Sequence, residues 1–228
     1  YEPPIPTHMR GRIIGADMHA THKYDFDNLK KAPELFEDGE QVVITEKIHG
    51  TNICIGVLPE DDRDEKYYKG RVTVSSKGMG AKGFALDHND DTNVYTRAAK
   101  KHGLLDKVLD HLGPVADTYG KPVFLIGEVF GVGIQDLTYT GKLLDFRAFD
   151  IAVGNRGSEI YMNWDYFNEY CKVAKIPMVP LLYSGPYSKA VVLKHTDGPT
   201  TLHDGKSKPH IREGVVVKSA IEKRHKSL

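Results

Sequence analysis

Residues 41–58 read QVVITEKIHGTNICIGVL, and this stretch decides the fold class of the 228-residue chain. Two runs rich in Val and Ile, 41–48 and 51–58, have the composition of β-strands. The polar stretch between them contains Gly50, which can supply the close backbone approach or the positive φ of a tight turn. Lys47 is therefore predicted at the end of a strand or in a turn. Taken alone, it is most simply interpreted as a solvated lysine in a polar hairpin.

The rest of the chain has the same strand-rich character. Further β-type runs cover 71–76, 123–130, 146–153 and 213–219. Helices are predicted over 27–36, over 92–112 with a break at Gly103, over 165–174, and from Pro186 to about His195. Because strands outnumber helices and do not alternate with them regularly, we predict an α+β fold with antiparallel β-sheets flanked by helices, rather than a doubly wound fold.

Composition narrows the class of protein. Lys plus Arg and Asp plus Glu are both 31, which argues against a protein that coats nucleic acid through a global basic field but does not exclude a local basic groove. Two cysteines give neither a disulfide framework nor zinc-ligand spacing, which predicts a reducing, intracellular compartment. No apolar run is long enough for a membrane span. Residues 1–24 are predicted to be an irregular lead-in or linker, and residues 25–228 a single domain.

Two further segments contain charged residues inside apolar strands. Glu128 lies in Phe124-Leu125-Ile126-Gly127-Glu128-Val129-Phe130, where a carboxylate is costly unless it is paired, belongs to a site or faces water on an edge strand. Glu213 and Lys218 bracket a run of valines in Glu213-Gly214-Val215-Val216-Val217-Lys218. Strand side chains alternate, so residues five apart face opposite sides unless a bulge or twist intervenes. A simple surface ion pair therefore does not explain these two residues.

In this order, the segments resemble the motifs of the covalent nucleotidyltransferase superfamily, which contains DNA ligases, RNA ligases and mRNA capping enzymes. The matching residues are Lys47-Ile48-His49-Gly50, Glu128, and the run from Glu213 to Lys218. Finer features are similar to the bacteriophage T4 RNA ligase 2 group. These are Glu46 to Asn52, Gly127-Glu128 followed by Gly133-Ile134-Gln135, and Phe146 to Ile151. The resemblance runs from about Tyr24 to Lys218 and implies the nucleotidyltransferase fold and an ATP-dependent RNA ligase.

The resemblance also implies roles for individual residues. Lys47 would attack the α-phosphate of ATP to form lysyl-AMP, after which AMP passes to an RNA 5′-phosphate and a 3′-hydroxyl displaces it. Glu213 and Lys218 would complete the catalytic set. Glu213 and Glu128 would hold Mg²⁺ or Mn²⁺. The nucleotide-binding residues would be Glu46, Lys47, His49, Asn52, Lys77, Glu128, Phe149 and Lys218, with Phe149 stacking on adenine.

Several alternatives stay open on the sequence alone. A plain core aromatic is the alternative interpretation of Phe149. The basic residues predicted to contact RNA ends or a nicked duplex are Lys77, Lys82, Arg97, Lys100 and Lys101. The last three lie on or near a predicted helix, and a solvated charged face explains them equally well. The family's final lysine motif is expected beyond Leu228, with Lys223 and Lys226 as the weaker candidates, and an additional OB-type module outside this chain is expected. A DNA ligase, a capping-type nucleotidyltransferase and a non-catalytic nucleic-acid-binding module are the competing functions.

Overall fold

The computed structural model describes residues 12–26, 28–29, 31–32, 34–131, 133–137, 139, 144–203 and 209–223. The strands in these residues are β1 Ile13–Ala16, β2 Gln41–Glu46, β3 Thr51–Val57, β4 Val72–Ser76, β5 Phe84–Leu86, β6 Val123–Phe130, β7 Asp145–Val153, β8 Ile160–Tyr161, β9 Leu181–Pro186 and β10 Val215–Ser219. The helices are α1 Lys77–Ala81, α2 Val94–Lys101, α3 Leu104–Tyr119, α4 Trp164–Val173 and α5 Lys189–Thr196.

The strands form three antiparallel sheets. The largest has the order β4-β3-β6-β7-β8, a second has the order β10-β2-β9, and β1 pairs with β5. The predicted α+β class with antiparallel sheets is confirmed, and the six predicted β-type runs all contain strands.

The main core lies between the five-stranded sheet and the helices on one of its faces. Helix α3 contributes Leu104, Val108, Leu112 and Ala116, which recur every four residues and are all buried. They pack in the same cluster as Ile53 and other residues of the sheet. A smaller cluster joins α5 to the three-stranded sheet. A further cluster contains Cys54, Phe124 and Ile126 of the large sheet, which pack with Tyr24.

Two expectations about local structure need correction. The predicted helix over 27–36 is wrong, because the described residues of this stretch form separate turns, such as Lys31 N–H to Asn28 O at 2.8 Å. The sequence places a proline at position 33, which has no N–H to donate to a helix. Strand β1 also lies in the stretch predicted to be an irregular lead-in. The division into a lead-in and one domain stays a prediction.

The predicted break at Gly103 is confirmed. Helix α2 ends at Lys101 and α3 begins at Leu104, with Gly103 between them at φ +61°. The two free cysteines, Cys54 and Cys171, are both buried. In the part of the chain that the structure describes, every helix is too short or too polar to cross a membrane.

Candidate active site

The segment 47–50 connects the two larger sheets. Strand β2 pairs with β10 and β9, whereas β3 pairs with β4 and β6, so the two strands that flank this turn are not paired with each other. The interpretation of Lys47 as part of a simple hairpin is therefore wrong. Instead, Lys47 lies where the chain crosses from one sheet to the other.

Gly50 is required by close packing in this turn. A Cβ at position 50 would lie 2.3 Å from the carbonyl oxygen of Val129 and 2.9 Å from Cγ of Glu128. Gly50 is not among the glycines with positive φ, so of the two reasons considered for it, close approach is the one that applies.

The β2–β10 ladder brings Lys47 and Glu213 together. Its last register pair is Glu46 with Val215, and the Lys47 N–H then donates to the carbonyl of Gly214 at 3.0 Å. The Lys47 Nζ donates a short hydrogen bond to Oε1 of Glu213. Gly214 has φ +152°, which breaks the side-chain alternation ahead of β10. This kink accounts for the odd spacing of Glu213 and Lys218.

Lys218 is paired with a buried carboxylate that the sequence interpretation did not single out. Its Nζ lies 2.7 Å from Oδ2 of Asp150, and their side chains are 17% and 2% exposed. Asp150 also accepts hydrogen bonds from the hydroxyl of Tyr24 at 3.2 Å and from the amide of Ile151 at 3.0 Å. Burial raises the pKa of Asp150, and Lys218 opposes that effect. The signal in the sequence was the same as for Glu128, an acid within an apolar strand.

Glu128 lies on a central strand, since β6 is hydrogen-bonded to β3 on one side and β7 on the other. The edge-strand alternative for this residue is therefore wrong. Burial raises the pKa of Glu128 to about 8; Lys47 opposes the shift and the Glu213 charge adds to it. Asn52, its register partner on β3, donates to Gly127 O at 3.4 Å and has a buried Oδ1 without a hydrogen-bond partner.

Lys47, Glu128 and Lys218 line a cleft of about 350 Å³ between the two sheets, whereas Glu213 contacts Lys47 from outside the lining. Phe149 forms part of its wall, and its ring packs against that of Tyr24 with a centroid separation of 5.1 Å. Phe149 is only partly buried, so it serves both the core and the cleft. The predicted site residues among the lining are Glu46, Lys47, Asn52, Lys77, Glu128, Phe149 and Lys218. Sequence reasoning missed others, including Tyr24, Phe26, Thr45, Val179 and Val216.

The side chains of three predicted nucleotide-binding residues, Glu46, Lys77 and His49, contact other residues of the protein. The carboxylate of Glu46 accepts hydrogen bonds from Thr200 and Thr201, which bind a neighbouring loop to β2. Lys77 donates to Asp25 Oδ1 at 2.9 Å. The ring of His49 is not part of the cleft lining, and its Nδ1 lies 3.5 Å from Oε2 of Glu213.

The other basic residues singled out from the sequence do not line this cleft. Those expected to contact RNA are exposed, namely Lys82, Arg97, Lys100 and Lys101, and contact with RNA stays a prediction. Lys223 donates to Glu40 Oε2 at 2.5 Å and to Leu35 O at 3.3 Å, and Lys226 lies outside the described residues. A second, more open depression of about 670 Å³ near Tyr67 contains none of the predicted site residues.

The carboxylate of Glu128 in the cleft and that of Glu213 beside it fit a divalent cation shared with a bound phosphate. Within the described ranges, no group of three or more His, Cys, Asp and Glu side chains could hold a metal by itself. Mg²⁺ commonly uses only one or two protein carboxylates and takes its other ligands from water and substrate phosphates. Glu128 and Glu213, which interact electrostatically, can supply those carboxylates.

Comparison with known proteins gives a family match and a set of similar structures. A family model described as RNA ligase matches residues 40–227. The chain is similar to Naegleria gruberi RNA ligase in an apo form of a mutant (21% identity, TM-score 0.64). It is also similar to a mutant with ATP and Mn (20%, TM-score 0.65) and to the enzyme with PPi (21%, TM-score 0.65).

Each alignment covers 96% of this chain but only 58–59% of the other, so this chain spans less than two thirds of those proteins. No curated protein sequence matches it. At this identity, the structural similarity supports the fold.

Proposed function

This chain belongs to the RNA ligase family, and we propose that it reacts with ATP to form lysyl-AMP on Lys47 and passes the AMP to RNA ends for joining. The observation that carries the proposal is the contact between the Lys47 amine and the Glu213 carboxylate, beside a cleft that Lys47 lines together with Lys218 and Glu128. The fold of the Naegleria gruberi enzyme, solved with ATP and Mn, supports ATP and a divalent cation as the partners of this cleft.

In the first step, the Lys47 nitrogen attacks the α-phosphorus of ATP. A P–N bond forms, the P–O bond to pyrophosphate breaks, and the ammonium group loses two of its three protons. Only roughly 0.04% of a lysine with a pKa near 10.4 is neutral at pH 7, so the ammonium must be disfavoured or deprotonated as the reaction proceeds. Glu213 accepts a hydrogen bond from Nζ and is therefore placed to take up a proton. Lys218, which lines the same cleft, would bind the phosphate.

Different residues at the cleft would contact different parts of the nucleotide. Phe149 and the aliphatic side chains of Val179 and Val216 offer apolar contact to a base, and stacking on Phe149 is worth roughly 1–3 kcal/mol. The carboxylates of Glu128 and Glu213 would hold a divalent cation, with ribose contact as the alternative for Glu128. A bound divalent cation would neutralise charge that builds up on the phosphates.

Two further transfers complete the proposed reaction. An oxygen of an RNA 5′-phosphate displaces Lys47 from the phosphorus of AMP, which breaks the P–N bond and gives an RNA with a 5′-to-5′ linked AMP. A 3′-hydroxyl then attacks the RNA phosphate, forms a phosphodiester and releases AMP. Because the chain spans only part of its structural relatives, these two steps are proposed for the chain together with any further module.

The experiment that tests the proposal is intact-mass measurement after incubation with ATP and magnesium. We expect one added AMP, located by peptide mapping on Lys47, and none on a Lys47→Ala variant. Lys66→Ala is the matched control, because Lys66 lies outside the cleft and pairs with Asp64. Full labelling of Lys47→Ala, or stable labelling from GTP but not ATP, would overturn the proposal. Sealing assays on nicked RNA and nicked DNA then distinguish an RNA ligase from a DNA ligase.

A further inference from the structure

Tyr139 lies between the two segments that contain Lys47 and Glu213. Its side chain is 1% exposed, and its hydroxyl oxygen accepts a hydrogen bond from the backbone N–H of His49 at 2.6 Å. Its ring meets the ring of His210 edge-on at a centroid distance of 4.6 Å, and that of Phe130 at 5.3 Å. The residue therefore contacts the lysine turn on one side and the chain that leads to Glu213 on the other.

The Tyr139 hydroxyl gives the backbone N–H of His49 an acceptor of the kind that a neighbouring strand provides within a sheet. Strand β2 ends at Glu46 and β3 begins at Thr51, so the amides of the crossing segment lie beyond the named strands. A buried N–H without a partner is costly, and here a side chain supplies the acceptor. The same loop also contributes Gln135, whose amide donates to Gly50 O at 3.4 Å.

The contact with His210 extends this link to the second catalytic segment. His210 stands three residues before Glu213, and its Nδ1 lies 2.7 Å from Ile211 O. Tyr139 is separate from the residues that line the cleft, so it does not act by touching the nucleotide. Any effect it has on the reaction must pass through the positions of these two segments.

We propose that Tyr139 is a positioning residue, which holds the Lys47 turn and the Glu213 segment at the separation that nucleophilic attack requires. The inference rests on the proposed function, because the reaction it serves is the transfer of AMP to Lys47. The hydroxyl of Tyr139 holds the Lys47 turn, and the ring of Tyr139 makes the contact with His210.

Tyr139→Phe separates these two parts, since it keeps the ring and removes only the acceptor for His49. We expect the rate of AMP attachment at saturating ATP to fall about tenfold, the equivalent of about 1.4 kcal/mol, while the apparent KM for ATP stays within about twofold. Tyr183→Phe is the matched control: it removes a tyrosine hydroxyl that donates to Pro186 O at 2.9 Å, outside the cleft. That variant should label at the wild-type rate.

A second measurement does not depend on catalysis. Hydrogen exchange of a peptide that covers 46–52 should be faster in Tyr139→Phe than in wild type, and unchanged in Tyr183→Phe. The inference would be overturned if Tyr139→Phe were labelled at the wild-type rate or if its hydrogen exchange were unchanged. It would also be overturned if the KM rose as much as the rate fell because the variant had unfolded generally. If wild type itself is not labelled by ATP, the proposed function fails, and the exchange measurement still decides whether Tyr139 holds the turn.

Discussion

The backbone N–H of Lys47 donates to the carbonyl of Gly214 across 3.0 Å, one residue beyond the last register pair of β2 and β10. The meeting of Lys47 and Glu213 is therefore a consequence of sheet pairing. Slipping a strand by one residue turns every side chain to the other face, so the buried residues of β2 and their partners fix this register. Substitutions at the end of the β2–β10 pairing should therefore slow AMP attachment more than they lower the stability of the fold.

Gly214→Ala should separate these two effects. Gly214 has φ +152°, and an added Cβ would meet no atom within 4 Å, so the cost is backbone strain alone. We expect a loss of about 1–3 kcal/mol in the free energy of unfolding and at least about tenfold slower attachment of AMP, because Glu213 moves. Denaturant titration and intact-mass kinetics measure the two quantities.

The matched control is Gly39→Ala. Gly39 has φ +88° with equally open space around its Cβ position, and it lies outside the cleft. It should lose a similar free energy of unfolding and keep its labelling rate. If both variants lose labelling to the same extent, the kink at Gly214 has no specific role in placing Glu213.

Gly50→Ala should be poorly tolerated for a different reason. The new Cβ would lie 2.3 Å from Val129 O, a backbone atom that cannot move aside without distorting β6. Forced overpacking of this kind costs about 1–3 kcal/mol or more, and the shifted turn moves both Lys47 and Glu128. Thermal unfolding and AMP attachment should therefore both be impaired.

Gly113→Ala provides the comparison, because the nearest atoms to its Cβ position lie at 3.7 Å and the residue is inside helix α3. Alanine is the better helix former by about 1 kcal/mol, so this variant should be at least as stable as wild type. A Gly50→Ala protein as stable and active as Gly113→Ala would show that the turn adapts freely.

The sequence was sufficient for β2, β3, β4, β6, β7 and β10, whose apolar runs are strongly β-type, but it did not predict the other four described strands, β1, β5, β8 and β9. The three segments of Lys47, Glu128 and Lys218 also come together in one cleft, as their order along the chain led us to expect, and the roles of these residues stay a prediction. It failed for residues 27–36, where apolar residues at helical spacing surround a proline. There, local turn geometry prevailed over periodicity.

What the sequence could not provide were contacts between distant segments. Asp150 stands 68 positions before Lys218, and nothing in either segment indicates that the carboxylate pairs with that lysine. Tyr24 was assigned to the lead-in, although its ring packs against Phe149 in the wall of the cleft. Glu46 belongs to the motif, yet its carboxylate binds the loop at Thr200 and Thr201. Such pairings follow from sheet topology.

Asp150→Asn tests the buried pair with Lys218. The change keeps the shape of the side chain but leaves a largely buried ammonium without its counter-charge. Breaking such a pair costs about 3–5 kcal/mol when both groups are fully buried, so a loss of about 2–3 kcal/mol is expected with Lys218 at 17% exposure. The freed lysine should also bind phosphate in the wrong place, which slows AMP attachment.

Asp64→Asn is the surface counterpart, since Asp64 pairs with Lys66 at 2.6 Å and both side chains are substantially exposed. It should change stability little, because exposed ion pairs contribute little. Equal free energies of unfolding for the two variants, measured by urea titration, would contradict a special role for the Asp150 pair.

Glu128→Gln should change how stability depends on pH. Burial raises the pKa of Glu128 from 4.5 to about 8 in the folded protein. Between these values the folded state holds a proton that the unfolded state has released, so the contribution of Glu128 to stability is fully present below about pH 4.5, declines as pH rises and is lost above about pH 8. The pKa difference sets an upper limit of about 5 kcal/mol on that decline.

The glutamine variant cannot ionise, so its free energy of unfolding should fall less between pH 5 and pH 8.5 than that of wild type, as measured by urea titration without nucleotide or metal. Glu65→Gln, a change at an exposed glutamate outside the cleft, should leave the wild-type pH dependence unchanged.

The protonation of Glu128 also affects the proposed reaction. Below about pH 8, Glu128 must release its proton before it can act as an anionic ligand for a cation. Metal binding to wild type should therefore release a proton near pH 7, and calorimetry in buffers of different ionisation enthalpy should detect that proton in wild type but not in Glu128→Gln.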